Sequence, residues 1–394
     1  MEQEKINRLQ WILDDAVAGG EIPGAILMVR REGKEIVYLE SGYADIEAKK
    51  PVSRDSIYRL YSMSKPITAT AVMILVERGL IDLADPVCRY LPGFCGQMVA
   101  AADGHVEKPW RDVTIQDLVN MTSGLVYDGN HLTGKQTEAL FAEVIQGLDE
   151  GEGGAYGTVE IANRLGQIPL AFQPARSWCY GTSADVAGAL VEVVSGMRFG
   201  DFLEKEIFTP LEMVDTGFWV PEEKQSRLVK TYECNEGKPS LLYTGNHLGI
   251  RNAMDRRPAF ESGGAGLVST IDDYSHFAQM LLNGGSYKGK QILSPAMVRF
   301  MTGHVLSAEQ QEVFEREGMA WLEGFSYGNF MRVLVNPGRS TTLGSKGEYG
   351  WDGWLGCYFA NAPQDQMTIL MMTQKKDSGT FRMTRLLRNT IYNM

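Results

Sequence analysis

The order of patterns along the chain predicts an α/β protein of the α+β type: one antiparallel sheet built from both termini, helices flanking it, and a mostly helical segment inserted between. Strand-like runs are confined to the two ends of the sequence, whereas the middle is a succession of helix-period patterns. Strands from both ends share one sheet only if the ends return to each other, and helices must then cover its faces.

The elements follow in order. Residues 4–18 set Ile6, Leu9, Ile12, Leu13, Ala16 and Val17 at helical spacing, and Gly19-Gly20 ends the helix. "AILMVRREGKEIVYLESGYAD" reads as two strands around a Glu32-Gly33 turn. From Ser62 to Arg78 the chain is apolar nearly all round, as a central helix is, with Gly79 as its C-cap. Asp85-Pro86 reads as an N-cap followed by a first-position proline.

The middle then offers "TIQDLVNMTSG", "QTEALFAEVIQGL", "TVEIANRLGQI", "SADVAGALVEVVSG" and "FGDFLEKEIFTPL" as helices. "GLVST", "SYGNFMRVLV", "YGWDGWLGCYFAN" and "QMTILMMTQ" read as strands, with a turn from Asn361 to Gln366 between the last two. A final helix is expected from about Ser378 to Tyr392. The expected division is an α/β domain from residues 1–80 and 255–394, a mostly helical domain from 81–254, and a site at their interface.

Composition narrows the function. The formal net charge of -11 argues against nucleic acid and anionic membrane surfaces as partners. No apolar run approaches the roughly 20 residues of a membrane span. The start "MEQEKINRLQWILDDAV" lacks the basic and apolar regions of a secretory signal, so a cytoplasmic protein is expected. The five cysteines are scattered without metal spacing and are expected to be reduced thiols. The five histidines show no zinc spacing, and no metal or organic cofactor is implied.

Chemistry is concentrated at Ser62-Met63-Ser64-Lys65, the single S-x-x-K of the chain. Residues i and i+3 share a helix face, so the Ser62 hydroxyl and Lys65 amine can meet. A serine hydroxyl is a weak nucleophile until a neighbour takes its proton. A lysine serves if burial lowers its pKa toward neutrality. Unpaired N–H groups at the helix start can stabilise an oxyanion.

A wider pattern resembles the serine β-lactamase-like, penicillin-binding-protein superfamily, in particular class C β-lactamases, DD-peptidases and, most of all, family VIII carboxylesterases. The stretches that carry it are "IPGAILMV", "YSMSKPITATAVMILVERGLIDLADPV", "VTIQDLVNMTSGL", "WCYGTSADVAGALVEVVSG", "GGAGLVSTIDDYSHFAQMLLNGG" and "YGWDGWLGCYF". The resemblance implies Ser62 as nucleophile, Lys65 as the motif lysine, and Tyr180 of "WCYGTS" as the tyrosine that shuttles a proton. It leaves open whether Lys65 or Tyr180 is the acylation base.

The pattern also breaks. No K-T-G occurs, and the matching strand carries Trp351-Asp352-Gly353 followed by Trp354. In penicillin-binding relatives the K-T-G lysine and threonine help bind a substrate carboxylate. Tryptophan supplies no cation and Asp352 repels an anion, so a neutral ester fits better than a β-lactam or a D-Ala-D-Ala terminus. Trp351, Asp352, Gly353 and Tyr127 are expected to bind substrate, Gly353 keeping the strand edge open. The N–H groups of Ser62 and Trp354 are expected to form the oxyanion hole. Asp352 departs even from the esterases and hints at tolerance of a positive group. Thr182 stands where an asparagine is usual and can still donate a hydrogen bond. Met121 stands where many relatives have a histidine.

The remaining signals are assigned as structural. "GEGGAYG" at 151–157 is a flexible loop, Cys357 a small packed residue, and the histidines surface or core groups. Tyr349, Trp351, Trp354 and Tyr358 either line an acyl pocket or alternate between faces. The reading is a serine hydrolase acting through an acyl-enzyme on a small, largely neutral ester, with small esters or amides as partners. The alternatives are an acyltransferase of the same fold, a β-lactamase or DD-peptidase, and a non-catalytic binding relative.

Overall fold

The computed structural model describes residues 2–101, 105–151, 153–235, 237–238, 240–317 and 320–394. Its centre is an eight-stranded antiparallel sheet. The strands are β1 (Gly24–Arg31), β2 (Lys34–Asp45), β3 (Lys50–Pro51), β4 (Phe325–Gly328), β5 (Met331–Leu334), β6 (Tyr349–Asp352), β7 (Tyr358–Ala362) and β8 (Met367–Thr373). Their order across the sheet is β4-β5-β6-β7-β8-β1-β2-β3. The C-terminal strand β8 pairs with the N-terminal β1 in the register Ala25↔Thr373 to Arg31↔Met367, which closes the two ends of the chain into one sheet.

Strand alternation divides the core. Ala25, Leu27, Val29, Ile369 and Met371 join Leu9 and Leu13 of helix α1 (Glu2–Ala18), together with Met383 and Leu387 near the C-terminus. Ile26, Met28, Leu370 and Met372 point the other way, into a cluster with Val72 and Met73 of α2 (Lys65–Glu77) and Tyr274 and Phe277 of a later helix. The period of two sends successive side chains to opposite faces. Every residue of α2 from Lys65 to Leu75 is buried, as its all-round apolar sequence requires.

Several expectations are refined. "SYGNFMRVLV" is a hairpin of two strands, because Asn329 and Phe330 take φ of 49° and 61° and turn the chain between them. "YGWDGWLGCYFAN" likewise splits into β6 and β7 around a turn at 353–357. "GLVST" contributes Val268–Ser269, which pairs with Tyr58–Arg59 apart from the main sheet. Asp85-Pro86 begins no α-helix: Pro86 is extended ahead of a short 3-10 turn, and Asp85 accepts instead from Asp82 N and Tyr90 Oη. The last helix starts at Arg382, not near Ser378. In the 151–157 loop, Glu152 lies outside the described residues.

Candidate active site

Ser62 lies in a 3-10 turn (Tyr61–Ser64) that leads into α2, not within the α-helix itself. The difference matters because side chains at i and i+3 eclipse in a 3-10 turn. Lys65 Nζ accordingly lies 3.1 Å from Ser62 Oγ. Tyr61 is held at φ 45°, a conformation that costs a non-glycine residue of order 1–3 kcal/mol. Its ring is trapped between neighbours, 4.9 Å from Trp354 and 6.0 Å from His247, which keeps the turn in place.

Lys65 is fully buried. Its amine donates to the Gly264 carbonyl at 2.9 Å and also meets Tyr127 Oη at 3.1 Å. Burial lowers its pKa to about 7, against the opposing pull of Asp185 and Asp352. A neutral amine has two N–H donors and one lone pair, and here it has three neighbours. Gly264 O can only accept, so one N–H is committed there, and the other N–H and the lone pair face the Ser62 and Tyr127 hydroxyls.

Asp185, which the sequence reading missed, organises this floor. It accepts from Ser262 Oγ at 2.5 Å and Gly264 N at 3.0 Å. Burial raises its pKa. A Cβ on Gly264 would sit 3.0 Å from both Asp185 Oδ2 and Tyr127 Oη, so a side chain there would push these groups apart under Lys65.

Tyr180 stands opposite, before the helix Ser183–Ser195. Its hydroxyl accepts from Trp351 Nε1 at 2.9 Å, and Lys65 Nζ lies 4.6 Å from its ring centre. Burial drives its pKa up, while the hydrogen bonds from Ser62 and Trp351 pull it down. The phenol whose hydroxyl is hydrogen-bonded to the lysine is Tyr127, whose ring meets Tyr180 edge-on at 5.8 Å. Thr182, expected as a donor, is fully buried with no partner for its hydroxyl among the described residues. Ser123 of the "MTSGL" segment bonds Ser183 at 2.8 Å and ties that loop to the helix behind Tyr180.

The end of β6 supplies the other wall. A Cβ on Gly353 would lie 2.3 Å from the Leu60 carbonyl. Its missing side chain thus makes room for the serine turn, a packing role beside the expected one of keeping the strand edge open. Gly353 N donates to Cys357 O at 2.7 Å, and the Trp354 N–H has no backbone acceptor among the described residues. Asp352 is half-buried, accepts from Thr380 Oγ1, and has its pKa raised by burial. Alternation sets Tyr349 and Trp351 on one face of the sheet and Tyr358 on the other, and Trp354 lies beyond the strand. Trp351 and Trp354 line the cleft, Tyr349 bonds Asn361 in the core, and Tyr358 packs with Arg388 on the far face.

Together these groups line a cleft of about 500 Å³ that includes Tyr61, Ser62, Tyr127, Tyr180, Trp351 to Trp354, Asp128, Asp377, His247 and Trp321. His247 is a correction: it was expected to be structural, yet its ring stacks on Trp354 at 4.2 Å and lines the cleft. It arrives from a tight turn at 247–250, too far in sequence for any motif to signal it. Cys357 is a buried packed residue, as expected. No group of His, Cys, Asp and Glu able to hold a metal occurs among the described residues. No helix among them is long and apolar enough to cross a membrane.

The Beta-lactamase family model matches residues 9–391, and the chain belongs to that family. An uncharacterised protein of Mycobacterium tuberculosis is 31% identical over 90% of this chain and 86% of its own length. Esterase EstB of Burkholderia gladioli is 30% identical over 98% of this chain and 94% of its own. Among solved structures, EstCE1, a hydrolase with promiscuous acyltransferase activity, superposes with a TM-score of 0.81 at 26% identity, covering 99% of both chains. The family is one of β-lactamase-fold serine hydrolases with esterase and acyltransferase relatives.

Proposed function

We propose that the protein is a serine esterase that cleaves small, largely neutral carboxylic esters through an acyl-enzyme on Ser62. The observation that carries this reading is the Ser62–Lys65 contact of 3.1 Å, with the amine buried and its pKa brought to about 7. As Ser62 Oγ bonds to the acyl carbon, its proton passes to the Lys65 lone pair, with Tyr180 and Tyr127 adjoining. The N–H groups of Ser62 and Trp354 receive the oxyanion. Collapse breaks the bond to the leaving alcohol, which takes a proton from the Lys65–Tyr180 pair. Water then repeats the sequence on the acyl-enzyme and frees Ser62.

Neutral esters are favoured over anionic ones because Trp351 and Asp352 stand where relatives place an anion clamp. That wall also disfavours β-lactams and D-Ala-D-Ala termini. Acyl transfer is the second reading, supported by the largely aromatic cleft, which suits an organic acceptor as well as water. The test is intact-protein mass after treatment with a p-nitrophenyl ester or a reactive phosphonate, on wild type and Ser62→Ala. One adduct lost in the variant, with catalytic release of p-nitrophenol, is expected. No adduct on wild type refutes the esterase. A faster rate with an added alcohol than with water alone assigns transfer.

A further inference from the structure

Resting on the esterase reading, we propose that the cleft selects esters bearing an alkylammonium group, quaternary or protonated, seated at the rim between Asp128 and Asp377 and against the rings of Trp354, His247 and Trp321. Asp128, Asp352 and Asp377 line the cleft, and among the described residues no lysine or arginine does. The two cations beside the cleft are both engaged: Lys65 is fully buried behind Ser62, and Lys376 is paired with Asp377 and Glu233.

Each carboxylate has surroundings that preserve the rim's sign. Asp352 is held by Thr380 low on the wall, which leaves the rim to the other two. Asp377 accepts from Trp354 Nε1 at 2.7 Å and lies 3.1 Å from Lys376 Nζ. Lys376 is itself bound to Glu233 at 2.6 Å. That group of two carboxylates and one ammonium remains net negative. Asp128 is exposed on the other side.

The rings between them suit a soft cation. His247 lies within electrostatic reach of both Asp377 and Asp128, and burial favours its uncharged form. It stacks on Trp354 at 4.2 Å, and Tyr243 meets that indole edge-on at 5.8 Å. An indole whose N–H is given to a carboxylate is electron-enriched; His247 covers one of its faces, so an alkylammonium group would meet the rest of that ring together with Trp321. Tyr61, 1% exposed, belongs to the same wall, and its hydroxyl has no partner among the described residues. A volume of about 500 Å³ has room for an acyl group at Ser62 and a charged arm reaching the rim.

The test compares acetylcholine with its uncharged carbon isostere, 3,3-dimethylbutyl acetate, on wild type and on Asp128→Asn/Asp377→Asn. Wild type is expected to prefer the cationic ester by about tenfold in kcat/KM at low salt. The preference should shrink with added salt and fall toward unity in the double variant, chiefly through KM for acetylcholine. Equal turnover of both esters by wild type, abolished in Ser62→Ala, overturns the proposal and leaves the esterase standing. If neither ester turns over, protection is decisive. Slower phosphonate labelling of Ser62 in the presence of choline supports the site, and unchanged labelling overturns it. Absence of labelling altogether defeats both readings.

Discussion

The burial of Lys65 predicts a pH dependence of both stability and catalysis from one group. Its amine titrates at about 7 in the folded protein instead of 10.5, because desolvation disfavours the charged form. Between those values the unfolded chain binds more protons than the native one, so stability rises with pH. Full separation of the two states gives about 1.4 kcal/mol per pH unit. From pH 7.5 to 9.5, allowing for partial protonation at each end, Lys65 contributes roughly 2.5 kcal/mol of added stability. α2 tolerates the cost because Ile67, Val72, Met73 and Leu75 are also fully buried, at roughly 1.5–3 kcal/mol each. The assay is urea unfolding of wild type and Lys65→Met at both pH values, since groups common to the two proteins cancel in the difference. The stability of wild type relative to the variant should rise by about that amount. In parallel, kcat/KM for p-nitrophenyl acetate should climb along an acid limb near pH 7 and level above it. A stability difference that does not change with pH, or an acid limb below pH 5, refutes the neutral-amine argument.

Further outcomes follow from the same geometry. Tyr127→Phe removes a hydroxyl that touches Lys65 and should lower kcat by about 10²-fold, the scale of a lost proton-transfer partner, with the urea midpoint little changed. Trp351→Phe removes the indole N–H that the Tyr180 hydroxyl accepts from and should lower kcat for p-nitrophenyl acetate while leaving the acid limb near pH 7 in place. Gly353→Ala drives a Cβ against the Leu60 carbonyl and should abolish Ser62 labelling by phosphonate even where circular dichroism shows a folded protein. Arg388→Met strands Glu348, its fully buried partner at 2.6 Å, and should cost about 3–5 kcal/mol in urea unfolding while leaving the pH profile of activity unmoved.

The chain by itself determined most of the segments that build the sheet, because a period of two and β-branched runs are local properties. It placed β1, β2 and β8, the buried helix α2, and the Ser62–Lys65 spacing, since each rests on neighbours within a few positions. Ordered motifs also named Tyr180 and the Trp351–Trp354 wall. Hairpins hidden inside continuous apolar runs were not legible: Asn329-Phe330 turns through positive φ without a glycine to announce it. Only the tertiary structure decided which partners meet across long separations. Asp185, 120 positions from Lys65, sets the Gly264 carbonyl under the amine, and His247 comes from a remote turn to stack on Trp354. It also decided that the lysine hydrogen-bonds the Tyr127 hydroxyl while lying against the Tyr180 ring, and that Gly353 is small for the sake of the Leu60 carbonyl. The physical reason is one of range. Pattern and propensity act over a few residues, whereas the desolvation that tunes Lys65 and the charge at the cleft rim arise only when distant segments exclude water together.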